Sequence, residues 1–125
     1  MASSAKQCRS TLLVVDDNQT ALRVRQLVLE SAGYTVLVAG DSAAAIALFS
    51  SSPVDMVVSD HLLQGCTGIE LAAAMKKLKP DVPIVIISGL VDAPEGIENA
   101  DLFISKTDGP LQMLQKIAEL LSSRN

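Results

Sequence analysis

Apolar runs typical of β-strands alternate with segments of helical periodicity along the whole chain. Such alternation is typical of βαβ units, in which a helix connects two parallel strands of one sheet. Because the runs are apolar without a period of two, both faces of each strand are expected to be buried. We predict an α/β fold with five parallel strands, at residues 12–15, 35–39, 56–59, 84–88 and 102–105.

Four full helices are predicted between and after these strands, at about residues 20–32, 42–52, 68–78 and from 110 onward. The first is expected to bury Ala21, Val24 and Val28 and to end at Gly33. The last is expected to bury one face formed by Leu111, Leu114, Ile117, Ala118 and Leu121.

The connection between the fourth and fifth strands is too short for a full helix. It contains Pro94, which is tolerated only in a first helical turn, and Gly96, which costs about 1 kcal/mol inside a helix. We expect one or two turns around residues 95–100, or an irregular loop.

Length and composition exclude several classes of protein. The 125 residues suit one domain, predicted at residues 11–122 after a disordered or extended tail at residues 1–10. The net charge of -4 offers no basic field, so we expect no direct binding to nucleic acid. The chain shows neither a signal peptide nor a stretch of about 18 apolar residues, which predicts a cytoplasmic protein without membrane contact. Cys8 and Cys66 are expected to be free thiols.

Three acidic residues follow two of the predicted strands. Asp16 and Asp17 end the first, and Asp60 ends the third. Right-handed crossovers place these strands side by side, and ligands of such sheets bind beyond the carboxyl ends of the strands. Converging carboxylates repel one another unless a cation neutralises them, and an all-oxygen set favours Mg²⁺. A carboxylate beside a metal can act as a nucleophile toward phosphorus.

Two further strand ends carry groups suited to a phosphoryl group. Ser88 offers a hydroxyl after the fourth strand, and Lys106 offers a compact cation after the fifth. Phosphoryl transfer needs charge stabilisation on the equatorial oxygens, and such a lysine can pair first with Asp60 and then with phosphate.

Together with Gly68, eight residues after Asp60, this set resembles the receiver domain of bacterial response regulators over about residues 10–122. The resemblance implies a flavodoxin-like, doubly wound sheet in the order 2-1-3-4-5, here with a shortened or irregular fourth helix. It also implies a phosphoacceptor that uses Mg²⁺, receives its phosphoryl group from a histidine kinase or phosphotransfer protein, and signals to a further, unknown protein.

The resemblance also implies roles for individual residues. Asp60 would be the phosphoacceptor, while Ser88 and Lys106 would hold the phosphoryl group. Phe103 matches an aromatic residue that, with Ser88, switches conformation. The Mg²⁺ ligands would be Asp16, Asp17, Asp60 and the backbone carbonyl of Leu62.

The chain departs from the family pattern at several positions. Gln64 and Thr107 replace two usual prolines, so the bond after Lys106 is expected to be trans and its loop to follow a different path. The short connection before the fifth strand leaves the usual output face incomplete. Leu62 and Leu90, two residues after Asp60 and Ser88, cannot align an attacking water, which predicts slow loss of the phosphoryl group.

Two alternatives have different consequences. A degenerate receiver would bind a partner without phosphorylation and would fail to bind Mg²⁺. An Mg²⁺-dependent phosphatase with an aspartate nucleophile would turn over a phosphomonoester, although Leu62 stands where its general acid is expected. A flavin-binding protein is disfavoured because the loop after the first strand is acidic instead of rich in glycine and hydroxyls.

Overall fold

The computed structural model describes residues 10–89 and 96–123. Five parallel strands form one sheet in the order β2-β1-β3-β4-β5, as predicted. The strands are β1 Thr11–Val15, β2 Thr35–Ala39, β3 Met56–Asp60, β4 Ile84–Ser88 and β5 Leu102–Ser105. The helices are α1 Gln19–Ser31, α2 Ser42–Ser51, α3 Gly68–Leu78 and α4 Gly109–Ser123, with 3-10 turns at Ile97–Asn99 and Lys106–Asp108. No helix of the described residues is long and apolar enough to cross a membrane.

The sheet separates two apolar clusters. Alternate residues of the strands point to opposite sides, so Leu13 and Val57 belong to one cluster, whereas Leu12 and Val58 belong to the other. The first cluster packs under α2 and α3, and the second packs under α1 and α4. Each fully buried aliphatic side chain contributes about 1.5–3 kcal/mol relative to an exposed one, so these two layers fix the strand order and hence the strand ends.

Side-chain caps set where the helices begin. Asn18 accepts a hydrogen bond from the backbone N–H of Ala21, and Asp41 accepts one from Ala44. At α3, Thr67 and Glu70 form a capping box in which each side chain bonds the other's backbone N–H. These bonds satisfy donors that a helix start would leave unpaired, which is why the predicted starts are right to within a residue.

The buried face of α1 agrees only in part with the prediction, since Ala21 and Val28 are half-buried and Val28 packs against the second cluster. Val24 is 56% exposed, while Leu29 is completely buried. The side of α1 that faces the sheet contains Leu22, Arg25 and Leu29. Because Arg25 is charged, the apolar pattern of this side is interrupted in the sequence.

The predicted face of α4 is confirmed at Leu114, Ile117 and Leu121, which belong to the second cluster or pack against it. Leu111 is 80% exposed, and the buried positions are Met113 and Ile117, one helical turn apart. Apolar residues occur on more than one side of this helix, so periodicity alone also assigned the exposed Leu111 and Ala118 to the buried face.

The connection between β4 and β5 is short, as predicted, with one 3-10 turn in its described part. Residues 90–95, which include Leu90 and Pro94, lie outside the described residues, as does most of the predicted tail. Asp101 anchors the return of the chain: its carboxylate accepts a 2.7 Å hydrogen bond from the Ile84 N–H and pairs with the Lys76 ammonium at 2.6 Å. The start of β5 is thereby fixed to β4 and to the end of α3.

Candidate functional site

The strand register gathers the predicted polar residues at one edge of the sheet. Val15 pairs with Ser59, so the residues that follow them, Asp16 and Asp60, emerge side by side. On the other side of β3, β4 and β5 end together, since Ser88 pairs with Ser105. The carboxyl ends of four strands therefore meet around Asp60.

Asp60 and Lys106 form an ion pair at the centre of this edge. The Lys106 Nζ lies 2.8 Å from Asp60 Oδ1, and the Asp60 side chain is only 6% exposed. Within the described residues no donor meets hydrogen-bond geometry at this buried oxygen, so the charge of Lys106 is its partner. A buried carboxylate needs such a partner. The Lys106 side chain is half-exposed, so it can move away from Asp60 toward solvent without passing through the core.

The turn that carries Lys106 is held from both sides. The Ser105 hydroxyl accepts a hydrogen bond from the Thr107 N–H, and Asp108 bonds the Ser105 N–H and pairs with Lys116 of α4 at 3.0 Å. The hydrogen bond from Lys116 holds the pKa of Asp108 below its ordinary value. No peptide bond in the described residues is cis, so the Lys106–Thr107 bond is trans as predicted. Capping replaces the missing proline in shaping this loop.

Asp16 is buried but already has partners. Its Oδ1 accepts a 2.9 Å hydrogen bond from the Asn18 N–H, and its Oδ2 lies 3.0 Å from Nη1 of Arg25 on α1. Sequence reasoning missed Arg25. The available signal was its position, three residues after Leu22 and four before Leu29, where a lone cation in an apolar stripe needs an acidic partner.

The three acids do not form a ready metal cage. Asp17 is exposed at the rim of the site. Among the described residues, no three His, Cys, Asp or Glu side chains are placed to hold a metal ion. The donors nevertheless fit Mg²⁺ in kind, because adjacent strand ends present carboxylate oxygens and Asp60 Oδ1 is buried without a hydrogen bond. Two side-chain cations, Arg25 and Lys106, neutralise the acids in this structure.

The two backbone hydrogen bonds that close the loop after β3 do not use the carbonyl of Leu62. Leu62 and Thr67 form an antiparallel bridge, closed by bonds from Leu63 N to Cys66 O and from Gly68 N to His61 O. The carbonyl of Leu62 takes no part in closing this bridge, as the predicted metal-ligand role requires. The Leu62 side chain is 67% exposed.

Gly68 and His61 lie close to the backbone at the end of β3. A Cβ at Gly68 would lie 2.6 Å from the Asp60 carbonyl oxygen, so only glycine allows α3 to start this close to β3. His61 is buried, and its Nδ1 has no hydrogen-bond partner in the described part of the chain.

Ser88 and Phe103 lie on the β4–β5 side of the site. Ser88 is buried at the end of β4. Phe103 pairs with Ile86 and is half-buried against the cluster under α2 and α3. The ring therefore lies two residues before the end of β5, where Ser105 pairs with Ser88.

A groove of about 390 Å³ adjoins the site between α1 and α4. Its walls are mainly apolar, and Arg25 and Lys106 both line it. The two cations thus approach the acids from the same side of the sheet.

Fold and site together define a doubly wound α/β domain with a carboxylate–lysine centre at the carboxyl ends of its strands. The chain belongs to the response regulator receiver domain family, whose model matches residues 12–118. It is therefore a receiver domain of two-component signalling.

Known proteins support this assignment. The chain is 30% identical over 117 residues to the phosphate regulon transcriptional regulatory protein PhoB of Pseudomonas aeruginosa, covering 89% of this chain and 51% of that protein. A CheY-like receiver domain protein from Methanospirillum hungatei has a TM-score of 0.85 at 26% identity, covering 93% of this chain and 96% of the other. Response regulator TrrA from Thermotoga maritima, solved in complex with Mg(2+)-BeF, has a TM-score of 0.83 at 25% identity, with coverages of 89% and 98%. The chain spans about half the length of PhoB.

Proposed function

We propose that this domain accepts a phosphoryl group on Asp60 from a histidine kinase or a phosphotransfer protein and passes the signal on by a change of conformation. The observation that carries the proposal is the ion pair between the buried Asp60 carboxylate and Lys106 at 2.8 Å, at the edge where four strands end. A nucleophile and a mobile cation are thus held together where an anionic group can enter.

The chemistry follows from the groups present. A carboxylate oxygen of Asp60 attacks phosphorus, the bond from phosphorus to the donor's imidazole nitrogen breaks, and an acyl phosphate forms while the donor keeps its electron pair. Lys106 then pairs with the phosphoryl oxygens instead of the carboxylate, and the Ser88 hydroxyl donates a hydrogen bond to them.

Mg²⁺, when bound, neutralises charge on the phosphoryl oxygens. Asp16, Asp17, Asp60 and the Leu62 carbonyl would hold it, and the TrrA complex with Mg(2+)-BeF supports this assignment by similarity. We further propose that Ser88 and Phe103 form the conformational switch and that residues 11–122 are the folded unit. The domain would act in the cytoplasm on a downstream protein, as a signalling domain without turnover of an outside substrate.

The proposal is tested by incubating the protein with Mg²⁺ and acetyl phosphate and measuring the intact mass. We expect a gain of one phosphoryl group that requires Mg²⁺ and disappears in Asp60→Asn. Asp41→Asn is the matched control, since Asn caps a helix as well as Asp does and residue 41 lies at the start of α2. Absence of any gain in folded wild-type protein would contradict the proposal.

One observation favours a second candidate, a receiver that binds its partner without phosphorylation. Asp16 is paired with Arg25, and no three acids among the described residues form a metal-holding group. If that pairing is permanent, the protein neither binds Mg²⁺ nor gains mass, while partner binding survives Asp60→Asn.

A further inference from the structure

Arg25 lies against Oδ2 of Asp16, the oxygen that would face a bound metal ion, and Asp16 is the most buried acid of the site. Its Nη1 lies 3.0 Å from Asp16 Oδ2, and the two side chains are 12% and 3% exposed. The other oxygen of Asp16 is bonded to the Asn18 N–H at 2.9 Å. Both oxygens of this carboxylate are therefore in use.

A guanidinium and a magnesium ion cannot both lie against Asp16 Oδ2. Mg²⁺ binds oxygens at about 2.0–2.1 Å and keeps most of its remaining ligands as water, so it needs the space in which Nη1 lies. Two cations at one carboxylate would also repel each other strongly in a buried site. Metal binding at Asp16 Oδ2 therefore requires Arg25 to move.

The structure provides a place for the displaced side chain. Arg25 lines the groove of about 390 Å³ between α1 and α4, whose walls include Ala21, Val24 and Ser105. Lys106 lines the same groove at the edge of the site, so the long arginine side chain has open space beside it into which its guanidinium can rotate.

We propose that Arg25 is an internal counter-ion that competes with Mg²⁺ for Asp16 and thereby sets the metal affinity of the receiver. The inference rests on the proposed function. Arg25 stabilises the metal-free site by neutralising a buried carboxylate, and Mg²⁺ binding must repay the loss of that pair. Linkage requires the reciprocal effect, so metal binding weakens the contact between Arg25 and Asp16 by the same factor.

The test compares Mg²⁺ dissociation constants of wild type, Arg25→Gln and Arg23→Gln by titration calorimetry. Arg23→Gln is the matched control because it removes the same charge from an exposed position on the same helix. We expect Arg25→Gln to bind Mg²⁺ about tenfold more tightly than wild type, within the usual range of such couplings, and Arg23→Gln to change the constant by less than about twofold.

A second measurement needs no variant. In wild-type protein titrated with Mg²⁺, the NMR signal of the Arg25 side-chain N–H should shift as the ion pair opens, while that of Arg23 stays in place. This readout remains decisive if Arg25→Gln does not fold.

The outcomes separate the inference from the proposed function. Equal or weaker Mg²⁺ binding by folded Arg25→Gln, with an unmoved Arg25 signal in wild type, overturns the competition even if Asp60 is phosphorylated normally. Absence of Mg²⁺ binding in both proteins overturns the inference and the metal requirement together. Mg²⁺ binding by Arg25→Gln that is tighter than in wild type supports the inference.

Discussion

At the level of single residues, the site balances buried acids against side-chain cations. Asp60 is held by Lys106 and Asp16 by Arg25, at 2.8 and 3.0 Å. Removing one partner of a buried pair leaves an uncompensated charge, so each carboxylate is stable only while it has a cation. Under the proposed function, a phosphoryl group or a metal ion would enter by taking the place of one of these cations.

The Leu62 side chain predicts a long-lived phosphorylated state. It is 67% exposed at the rim of the site, two residues after Asp60, and it has no group that can bond and align water. We expect Leu62→Asn to speed loss of the phosphoryl group by about an order of magnitude, since an aligned water is part of the catalysis. The decay is followed by intact mass after removal of the phosphodonor.

Leu78→Asn serves as the control for that substitution. Leu78 is also exposed, at 53%, but it lies at the far end of α3. If Leu62→Asn loses its phosphoryl group at the same rate as Leu78→Asn and wild type, Leu62 does not govern the lifetime of the phosphorylated state.

At the level of elements, the start of α3 sets the position of the carboxyl end of β3. Gly68 lets the helix approach the backbone of β3, and the capping box of Thr67 and Glu70 fixes the helix at that point. The loop between β3 and α3 carries Leu62, whose carbonyl takes no part in the backbone hydrogen bonds that close the loop. Contact between two backbones therefore determines the geometry of Asp60 and of the loop after it.

Gly68→Ala should disturb this contact. The new Cβ would lie 2.6 Å from the Asp60 carbonyl oxygen and 3.1 Å from His61 Cα, which are backbone atoms that cannot rotate away. We expect a loss of about 1–3 kcal/mol in the free energy of unfolding and a fall of several degrees in Tm. Gly40→Ala, with no atom within 4 Å of the added Cβ, is the control. A variant at residue 68 as stable as this control would refute the close-approach account.

Sequence reasoning succeeded where local rules decide the structure. Unbroken apolar runs located every strand, and helical periodicity located the helices between them. It wrongly assigned Val24 to the buried face of α1 and Leu111 to that of α4, because Arg25 interrupts the inward stripe of the first helix and Leu111 is an outward apolar residue of the second. Those faces depend on packing between elements that are distant in sequence, which periodicity does not contain.

At the level of the whole molecule, the order of the strands creates the site. Placing β1 and β4 on either side of β3 brings residues far apart in sequence, such as Asp16 and Ser88, to one edge. The sequence predicted this edge and its residue types. It did not predict that Arg25 pairs with Asp16, or that Asp17 stands at the rim, because those details depend on side-chain geometry set after the elements have packed.

The central claim is that Asp60 is the acceptor, and locating the phosphoryl group tests it directly. Protein treated with acetyl phosphate and Mg²⁺ is reduced with borohydride, which converts an aspartyl phosphate to homoserine, and is then digested and sequenced by mass spectrometry. We predict homoserine at position 60 and at no other acidic position. Homoserine at Asp16 or Asp17, or a stable phosphoryl group on His61 with residue 60 unchanged, would contradict the account.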